Sequence, residues 1–153
     1  MKWNYCIIIG LCCLIASCQS PEQKIIDAVK QINESCPILV ASDEETIIEV
    51  KYADHEVTFY VSLGETKHTL EELSYQKVKE LELNPKAIER NMRLYLGESV
   101  VRNAFKNVST RDAESINLQF KAILKGKKSN IEIVQRMPWN ETLHLKYLIF
   151  FKE

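Results

Sequence analysis

The sequence is poor in the residues that build a nucleotide or nucleophile site. Gly64, Gly97 and Gly126 stand alone, so no glycine-rich loop is present to hold a phosphate with several backbone N–H groups. The HExxH, CxxC and GxSxG motifs are also missing. These absences remove the sequence signatures of nucleotide hydrolysis, zinc peptidase chemistry and serine hydrolysis. We predict a non-enzymatic protein without a cofactor or a bound metal.

Neither sign of charge dominates the chain. Twenty Lys and Arg residues stand against 21 Asp and Glu residues, a formal charge of −1 at pH 7. Proteins that bind nucleic acid use clustered positive charge to release counterions, and this balance supplies none. We therefore predict no nucleic-acid partner. A hydrophobic fraction of 46% and a charged fraction of 27% are typical of a folded domain.

The amino-terminal hydrophobic run is too short to span a bilayer. It covers residues 6–17 (CIIIGLCCLIAS), about a dozen apolar or small residues, whereas a spanning helix needs about 20. Charged residues follow soon afterwards, beginning with Glu22 and Lys24. A run of this length behind Lys2 is typical of a signal peptide.

The end of this run carries a processing motif. Leu14, Ile15, Ala16, Ser17 and Cys18 resemble the lipobox of bacterial lipoproteins, in which an aliphatic residue and small residues precede an obligatory cysteine. The resemblance implies that residues 1–17 are a signal peptide and that Cys18 becomes the first mature residue, carrying a diacylglyceryl group and usually an amide-linked acyl chain. Each buried methylene contributes about 0.8 kcal/mol, so two or three chains anchor a protein firmly. The alternative is a plain secretory signal that leaves Cys18 as a thiol.

The residues after Cys18 bear on location. An aspartate directly after the lipidated cysteine resembles an inner-membrane retention signal, but this chain has Gln19 there. We therefore expect a lipid anchor in the outer membrane, facing the periplasm. The inner membrane and the cell surface are the alternatives. SPEQK lacks the acidic run that resembles a surface-export signal, which disfavours the cell surface.

Cysteine is scarce beyond the signal peptide. Once Cys18 carries lipid, Cys36 is the one remaining thiol, which excludes an intrachain disulfide. Cys36 lies beside Pro37 and an aliphatic run, and free cysteine commonly packs as a small hydrophobe. No neighbouring basic residue would lower its pKa for catalysis. We therefore predict that Cys36 packs in the core.

Residues 20–153 are predicted to form a single α+β domain that begins with a helix. Ser20 is the expected N-cap, Pro21 the first helical residue and Gln23 the partner that closes a capping box. Apolar residues follow at helical spacing up to about residue 34: Ile25, Ala28, Val29 and Ile32. Residues 18–19 are then the whole tether. At about 3.5 Å per extended residue, the helix begins within about one or two nanometres of the headgroups.

A β-hairpin is expected next. Residues 46–52 and 57–63 alternate between polar and apolar side chains, and residues 53–56 form the polar turn between them. The apolar positions define the predicted core faces of the two strands: Ile48, Val50, Tyr52, Val57, Phe59, Val61 and Leu63.

A helical middle and a second hairpin complete the expected order. Apolar spacing turns helical over residues 69–83 and from residue 85 to about 108, with a break at Gly97. Residues 115–124 and 131–134 alternate again around a turn at 126–128. For the tail a helix is favoured, with a strand as the alternative.

The order of four segments resembles a known group of proteins. VKQINESCPI, EVKYADHEVTFYVSL, NPKAIERNM and LKGKKSNIEI follow one another as in small, uncharacterised lipoproteins of anaerobic Gram-negative gut bacteria. These have a lipobox, a helix ending near NxxCP, a hairpin, a helical middle and a hairpin turned by YKGKKSG. The resemblance covers most of residues 26–137, with departures at residues 122–124 and at Asn130. It implies the α+β fold, the envelope location and a short helix after the second hairpin, and no activity.

Titratable residues are scattered along the chain. Three histidines occur in a turn, at a helix start and in the tail, without the i, i+4 spacing of a metal edge: His55, His68 and His144. Two acidic pairs could hold a cation or act as acid and base, but neighbouring side chains point different ways, so solvated surface is expected: Glu44-Glu45 and Glu71-Glu72.

One basic cluster surrounds the second hairpin turn, comprising Lys121, Lys125, Lys127 and Lys128. If the turn faces the bilayer, Lys125, Lys127 and Lys128 could bind anionic headgroups, each contributing about 1 kcal/mol. The alternative is a hairpin end that lysines keep soluble and protect from edge pairing.

These expectations combine into one functional hypothesis. We predict a binding or scaffolding domain that is anchored to the bilayer through acylated Cys18 and acts on an envelope protein partner. The alternatives are a small-ligand-binding or enzymatic domain with a pocket between hairpins and helices, and an immunity-type lipoprotein.

Overall fold

The chain forms a five-stranded mixed sheet with helices packed on one face. The computed structural model describes residues 19–40, 45–64, 75–126 and 132–138. In chain order the elements are α1 (Pro21–Asn33), β1 (Ile38–Val40), β2 (Glu45–Ala53), β3 (Glu56–Leu63), α2 (Tyr75–Leu83), α3 (Pro85–Gly97), α4 (Ser99–Phe105), α5 (Thr110–Ser115), β4 (Gln119–Gly126) and β5 (Glu132–Pro138). The predicted α+β class and its order of elements are confirmed. Residues 139–153, for which a helix or strand was predicted, lie outside these ranges.

The two predicted hairpins belong to one sheet. The strand order is β1-β2-β3-β4-β5, and neighbours are antiparallel except for the parallel pair β3 and β4. A parallel pair needs a crossover connection, and the chain segment that contains α2 to α5 supplies it. β1 was not predicted, because three residues are too few to show a period.

α1 begins at the predicted cap and packs as expected, but the predicted capping box is wrong. The Ser20 hydroxyl accepts a hydrogen bond from the Gln23 N–H at 3.2 Å, and Pro21 occupies the first turn. The side chain of Gln23 does not reach back to the cap, because it donates to Asp27 at 2.9 Å. The predicted apolar positions are the buried ones: Ile25, Ala28, Val29 and Ile32.

The predicted core face of β2 was wrong at Ile48. Ile47 is 0% exposed and pairs with Val61, whereas Ile48 is 50% exposed. The pairing register shifts between Ile47 and Glu49, which is a β-bulge. A bulge adds one unpaired residue, so alternation read back from Val50 reaches Ile48 instead of Ile47.

The helical middle differs from expectation at its end. α3 ends at Gly97 and α4 begins at Ser99, so the predicted break is confirmed. Residues 115–118, predicted as strand, instead complete α5 and the turn that follows it. Ser109 and Asp112 form a full capping box at the start of α5, a local signal that the alternating pattern obscured.

The core lies between the helices and one face of the sheet. Four aromatic side chains are fully buried there: Phe59, Tyr95, Phe105 and Phe120. Their rings pack in pairs, with centroids 6.0 Å apart for Phe59 and Tyr95 and 6.2 Å apart for Phe105 and Phe120. Aromatic pairs at such distances add to the free energy gained from burial.

Candidate functional site

A side chain covers the edge of the sheet beyond β1. The Asn33 Nδ2 donates to the Val50 carbonyl at 2.7 Å, and the Asn33 Oδ1 accepts from the Val50 N–H at 2.8 Å. The amide thus takes the place of a neighbouring strand where β1 has ended. Asn33 is the asparagine of the NxxCP segment, and this pair of hydrogen bonds gives it a structural role.

α2 covers the opposite edge, at β5. The Val134 N–H donates to the Glu82 carboxylate at 3.2 Å, and the Gln135 Nε2 donates to the Leu81 carbonyl at 2.9 Å. The hydrogen bond from Lys79, followed by that from the Val134 N–H, lowers the pKa of Glu82, so this carboxylate stays charged near neutral pH. A partner strand would therefore meet an occupied N–H at Val134 of β5 and occupied backbone groups at Val50 of β2, beyond the end of β1.

The face of the sheet away from the helices carries an apolar row. Tyr60, Ile123 and Val134 lie directly opposite one another, and the bulge places Ile48 beside Tyr60. Leu39 and Ile48 are 62% and 50% exposed. We call this face the open face, and its apolar row consists of one residue from each of β2 to β5: Ile48, Tyr60, Ile123 and Val134. Leu39 of β1 lies outside this row, opposite Thr46.

Two polar rows flank the apolar row. Each row crosses β2 to β5 in register. One consists of Lys51, Thr58, Lys121 and Arg136, and the other, on the far side of the apolar row, consists of Thr46, Ser62, Lys125 and Glu132. The charged members are paired. Glu56 lies 3.3 Å from Lys121 and 3.4 Å from Arg136, Lys51 lies 3.2 Å from Glu49, and Lys125 lies 3.8 Å from Glu132. The open face is therefore close to neutral.

Two hollows lie along the apolar row. One, of about 690 Å³, lies between Ile123, Val134 and the exposed Leu83 of α2. The other, of about 350 Å³, is lined by Ile48, Tyr60 and Ile123. The row is thus an uneven surface that a complementary partner could fill.

A smaller polar cavity lies on the helical side of the sheet. Its volume is about 130 Å³, and Glu45, Arg90, Asn91 and Gln135 line it together with Leu63, Leu81, Ala87, Leu124 and Ile133. Asn91 is 3% exposed and Gln135 is 1% exposed. The Asn91 Nδ2 donates to the Gln135 Oε1 at 2.9 Å, and the Arg90 Nε and Nη2 both donate to the Asn91 Oδ1 at 3.2 Å.

Glu45 corrects one expectation. The acidic pair was predicted to lie on the solvated surface, but Glu45 is half-buried and accepts a hydrogen bond from the buried Tyr95 hydroxyl at 2.7 Å. Burial, followed by the charge of Glu45, raises the pKa of Tyr95 far above its usual value, so the hydroxyl stays protonated. The other acidic residues singled out in the sequence lie outside the described ranges: Glu44, Glu71 and Glu72.

Sequence reasoning missed the polar cavity, although one signal was present. Gln135 stands between Ile133 and Met137 at an inward position of β5, where the alternation calls for an apolar residue. Its partners Asn91 and Glu45 lie on other elements, and only the fold brings them together.

The predicted lysine cluster is partly described. Lys125 lies exposed near the end of β4, and Lys127 and Lys128 lie outside the described ranges. Lys24 forms an ion pair with Asp112 at 2.8 Å, which holds the first turn of α1 against α5. Lys125 lies about 20 Å along β4 from its first residue, Gln119, at about 3.3 Å per residue. Headgroup binding by these lysines stays a prediction.

Cys18 lies outside the described ranges, but the next residue, Gln19, contacts α1. The Gln19 Nε2 donates to the Asp27 carboxylate at 2.8 Å, so the chain is already held against α1 one residue after Cys18. None of the helices in the described part of the chain is long and apolar enough to cross a bilayer.

The thiol and the histidines offer no reactive group in the described residues. Cys36 is half-buried and packs against the core, and burial followed by the charge of Glu49 raises the pKa of its thiol. His55 occupies the β2–β3 turn, where it and Asp54 have φ values of 62° and 50°, the backbone of a two-residue hairpin turn. His68 and His144 lie outside the described ranges. Within those ranges no three His, Cys, Asp or Glu side chains come together as a metal site.

No family model, no curated protein and no solved structure matches the chain.

Proposed function

We propose that this protein is a lipid-anchored, non-enzymatic binding domain of the cell envelope that holds a partner protein on its open face. The observation that carries the proposal is the apolar row, which crosses β2 to β5 between two polar rows. Specific protein interfaces have this arrangement, an apolar centre surrounded by a polar rim. Ile48 supplies the most exposed part of that centre, and the exposed Leu39 extends the apolar surface onto β1, opposite Thr46.

The chemistry of the open face favours a protein over other partners. Its charges are paired into a nearly neutral surface, which gives little attraction for nucleic acid or for anionic headgroups. Asn33 and Glu82 occupy backbone groups of Val50 and Val134 at the two sides of the sheet, which favours a partner that meets the face over one that adds a strand. The partner that fits presents an apolar ridge flanked by polar groups of both signs.

The anchor is the second part of the proposal. The apolar run of signal-peptide length and the LIASC segment support acylation at Cys18. The hydrogen bond from Gln19 to Asp27 supports a tether of minimal length, so that the domain works close to its membrane. We assign the outer membrane, facing the periplasm.

Fractionation of cells that express the Cys18→Ala variant tests the anchor. The wild-type chain is expected in the membrane pellet with acyl chains detected on Cys18 by mass spectrometry, and the variant in the soluble fraction. Ser17→Ala serves as the matched control because it changes the same segment, keeps a small residue before the cut and does not remove the acylated sulfur. A Cys18→Ala protein that sediments with membranes as fully as wild type contradicts the anchor.

Photo-crosslinking in intact cells tests the open face. A crosslinking amino acid at Leu39 or at Ile48 is expected to capture the same envelope protein. The same amino acid at Lys30, which is exposed on α1, is the control and should not capture it. Capture of lipid alone, of a second copy of this chain, or of the same proteins from all three positions contradicts the proposed partner.

A further inference from the structure

The polar cavity contains more hydrogen-bonding capacity than the fold uses. Each side-chain amide has two N–H groups: Asn91 uses one on Gln135, and Gln135 uses one on the Leu81 carbonyl. In the described part of the chain the second N–H of each has no acceptor. Both side chains are more than nine-tenths buried and line the cavity. Buried N–H groups without an acceptor are costly, so a bound polar group would stabilise them.

The direction of these hydrogen bonds is fixed by chemistry. The Leu81 carbonyl can only accept, so the Gln135 nitrogen faces it and the Gln135 oxygen faces Asn91. The Arg90 guanidinium can only donate, so the Asn91 oxygen faces Arg90. The unused N–H groups therefore belong to both amides and do not depend on a choice of orientation.

Two opposite charges line the same cavity without pairing. Arg90, which is exposed to solvent and also lines the cavity, uses its Nε and Nη2 on Asn91, and its remaining N–H groups have no carboxylate within ion-pair distance among the described residues. Glu45 uses one carboxylate oxygen on Tyr95, which leaves the other oxygen without a donor in the same part of the chain. The charge of Glu45 raises the pKa of Tyr95 and the charge of Arg90 lowers it, so both charges lie near the Tyr95 hydroxyl.

The volume limits what can bind. A cavity of about 130 Å³ has roughly the space of four water molecules, at about 30 Å³ each. Sugars, nucleotides and peptides are too large for it. Its apolar wall, which includes Leu63, Leu124 and Ile133, leaves room for no more than a small alkyl group.

We infer that the polar cavity binds a small amino-acid zwitterion of the size of glycine or alanine. Glu45 holds the ammonium group, and Arg90 with the amide N–H groups of Asn91 and Gln135 holds the carboxylate. This site lies on the helical side of the sheet, so it is separate from the open face. Its occupation does not require the partner protein.

Calorimetry on the full mature chain in detergent micelles tests the inference. Glycine or alanine is expected to bind saturably below about 1 mM, which corresponds to about −4 kcal/mol. Acetate and methylamine each carry half of the zwitterion and are expected to bind at least about tenfold more weakly, since each leaves one charged side chain of the cavity without its partner. Acetate binding as tightly as alanine, or no saturable binding of either amino acid, overturns the inference.

Three variants connect binding to the named side chains. Glu45→Gln keeps an acceptor for the Tyr95 hydroxyl and Arg90→Lys keeps the positive charge, so both are chosen to fold. Each is expected to weaken alanine binding by about tenfold or more. Arg93→Lys, on the same helix but outside the cavity, is the control and should leave binding unchanged. Unchanged affinity in Glu45→Gln or in Arg90→Lys, with thermal melting showing a folded protein, overturns the proposed contacts.

Discussion

The two faces of the sheet are built from alternate residues of the same strands, yet they differ in almost every property. On β4 the inward residues Phe120, Ala122 and Leu124 are buried against the helices. The residues between them, Lys121 and Ile123, face the open side. Among the described residues the inward face is apolar apart from Glu45 and Gln135, whereas the open face has one apolar row among polar ones. We therefore expect that substitutions of inward-facing residues change stability, and that substitutions of the alternate residues on the open face change the proposed binding independently.

The largest difference in stability between the two faces is expected from truncating an aromatic side chain of the core. Phe120→Ala should lower the free energy of unfolding by about 3–5 kcal/mol, because it removes a fully buried ring that packs on Phe105. Urea denaturation measures this change. Lys125→Ala, on the exposed side of the same strand, should cost less than about 0.5 kcal/mol. Equal losses in the two variants would break the distinction between the faces.

The next largest loss of stability is expected at the sheet edge that Asn33 covers. Asn33→Ala is expected to cost about 1–2 kcal/mol, because the Val50 N–H and carbonyl both lose their partner. Hydrogen exchange should show faster exchange at the Val50 amide in particular. Gln31→Ala, exposed on the same helix, is the control and should have little effect. Unchanged protection at Val50 would mean that Asn33 does not secure the edge.

The ion pair between Lys24 of α1 and Asp112 should contribute less to the free energy of unfolding, and its contribution should depend on pH. Burial alone would raise the pKa of Asp112, but the hydrogen bonds from Lys24 and Ser109 lower it below its usual value. A carboxyl with a lowered folded pKa stabilises the fold above its unfolded pKa of about 3.9, and this contribution is lost as the pH falls through the folded value. Asp112→Asn should therefore cost about 1 kcal/mol at pH 7.

Thermal melting at several pH values checks this sign. The difference between wild type and Asp112→Asn should persist from pH 7 to about pH 5 and shrink below about pH 4. Glu34→Gln, an exposed carboxyl at the end of α1, is the control. A difference that is as large at pH 3 as at pH 7 would assign the stabilisation to something other than the charge of Asp112.

The smallest effect on stability is expected on the open face. Leu39→Ala and Ile48→Ala together should change the free energy of unfolding by less than about 1 kcal/mol, since both side chains are already half exposed or more. Recovery of the partner from detergent extracts by the double variant should nevertheless fall severalfold. A stability loss of several kcal/mol would show that the apolar row belongs to the core.

Much of the fold could be predicted because its signals are local. The Ser20 cap, the period of α1, the β2–β3 turn and the break at Gly97 each depend on a few neighbouring residues. The error at Ile48 has the opposite cause, because a bulge is defined by pairing with β3 and not by β2 itself. The parallel pairing of β3 with β4 joins residues about 60 positions apart, and no local pattern encodes it.

The candidate sites were harder to predict for the same reason. The apolar row takes one residue from each of four strands, and it exists only in the registers that the sheet adopts. In the polar cavity, Glu45, Asn91 and Gln135 come from three elements separated by more than 40 residues. Of these, Gln135 alone carried a visible anomaly, a polar residue at an inward position.

The covered edges have a consequence for crowding. Strands with exposed edges can add to one another without limit, so a crowded sheet protein risks growing into a fibre. Among the described strands, Asn33 occupies the backbone of Val50 beyond β1, Glu82 occupies the N–H of Val134 on β5, and β1 offers three residues. Copies of this chain packed densely together therefore present one another with short, interrupted edges in the described part of the sheet, which disfavour strand addition between copies.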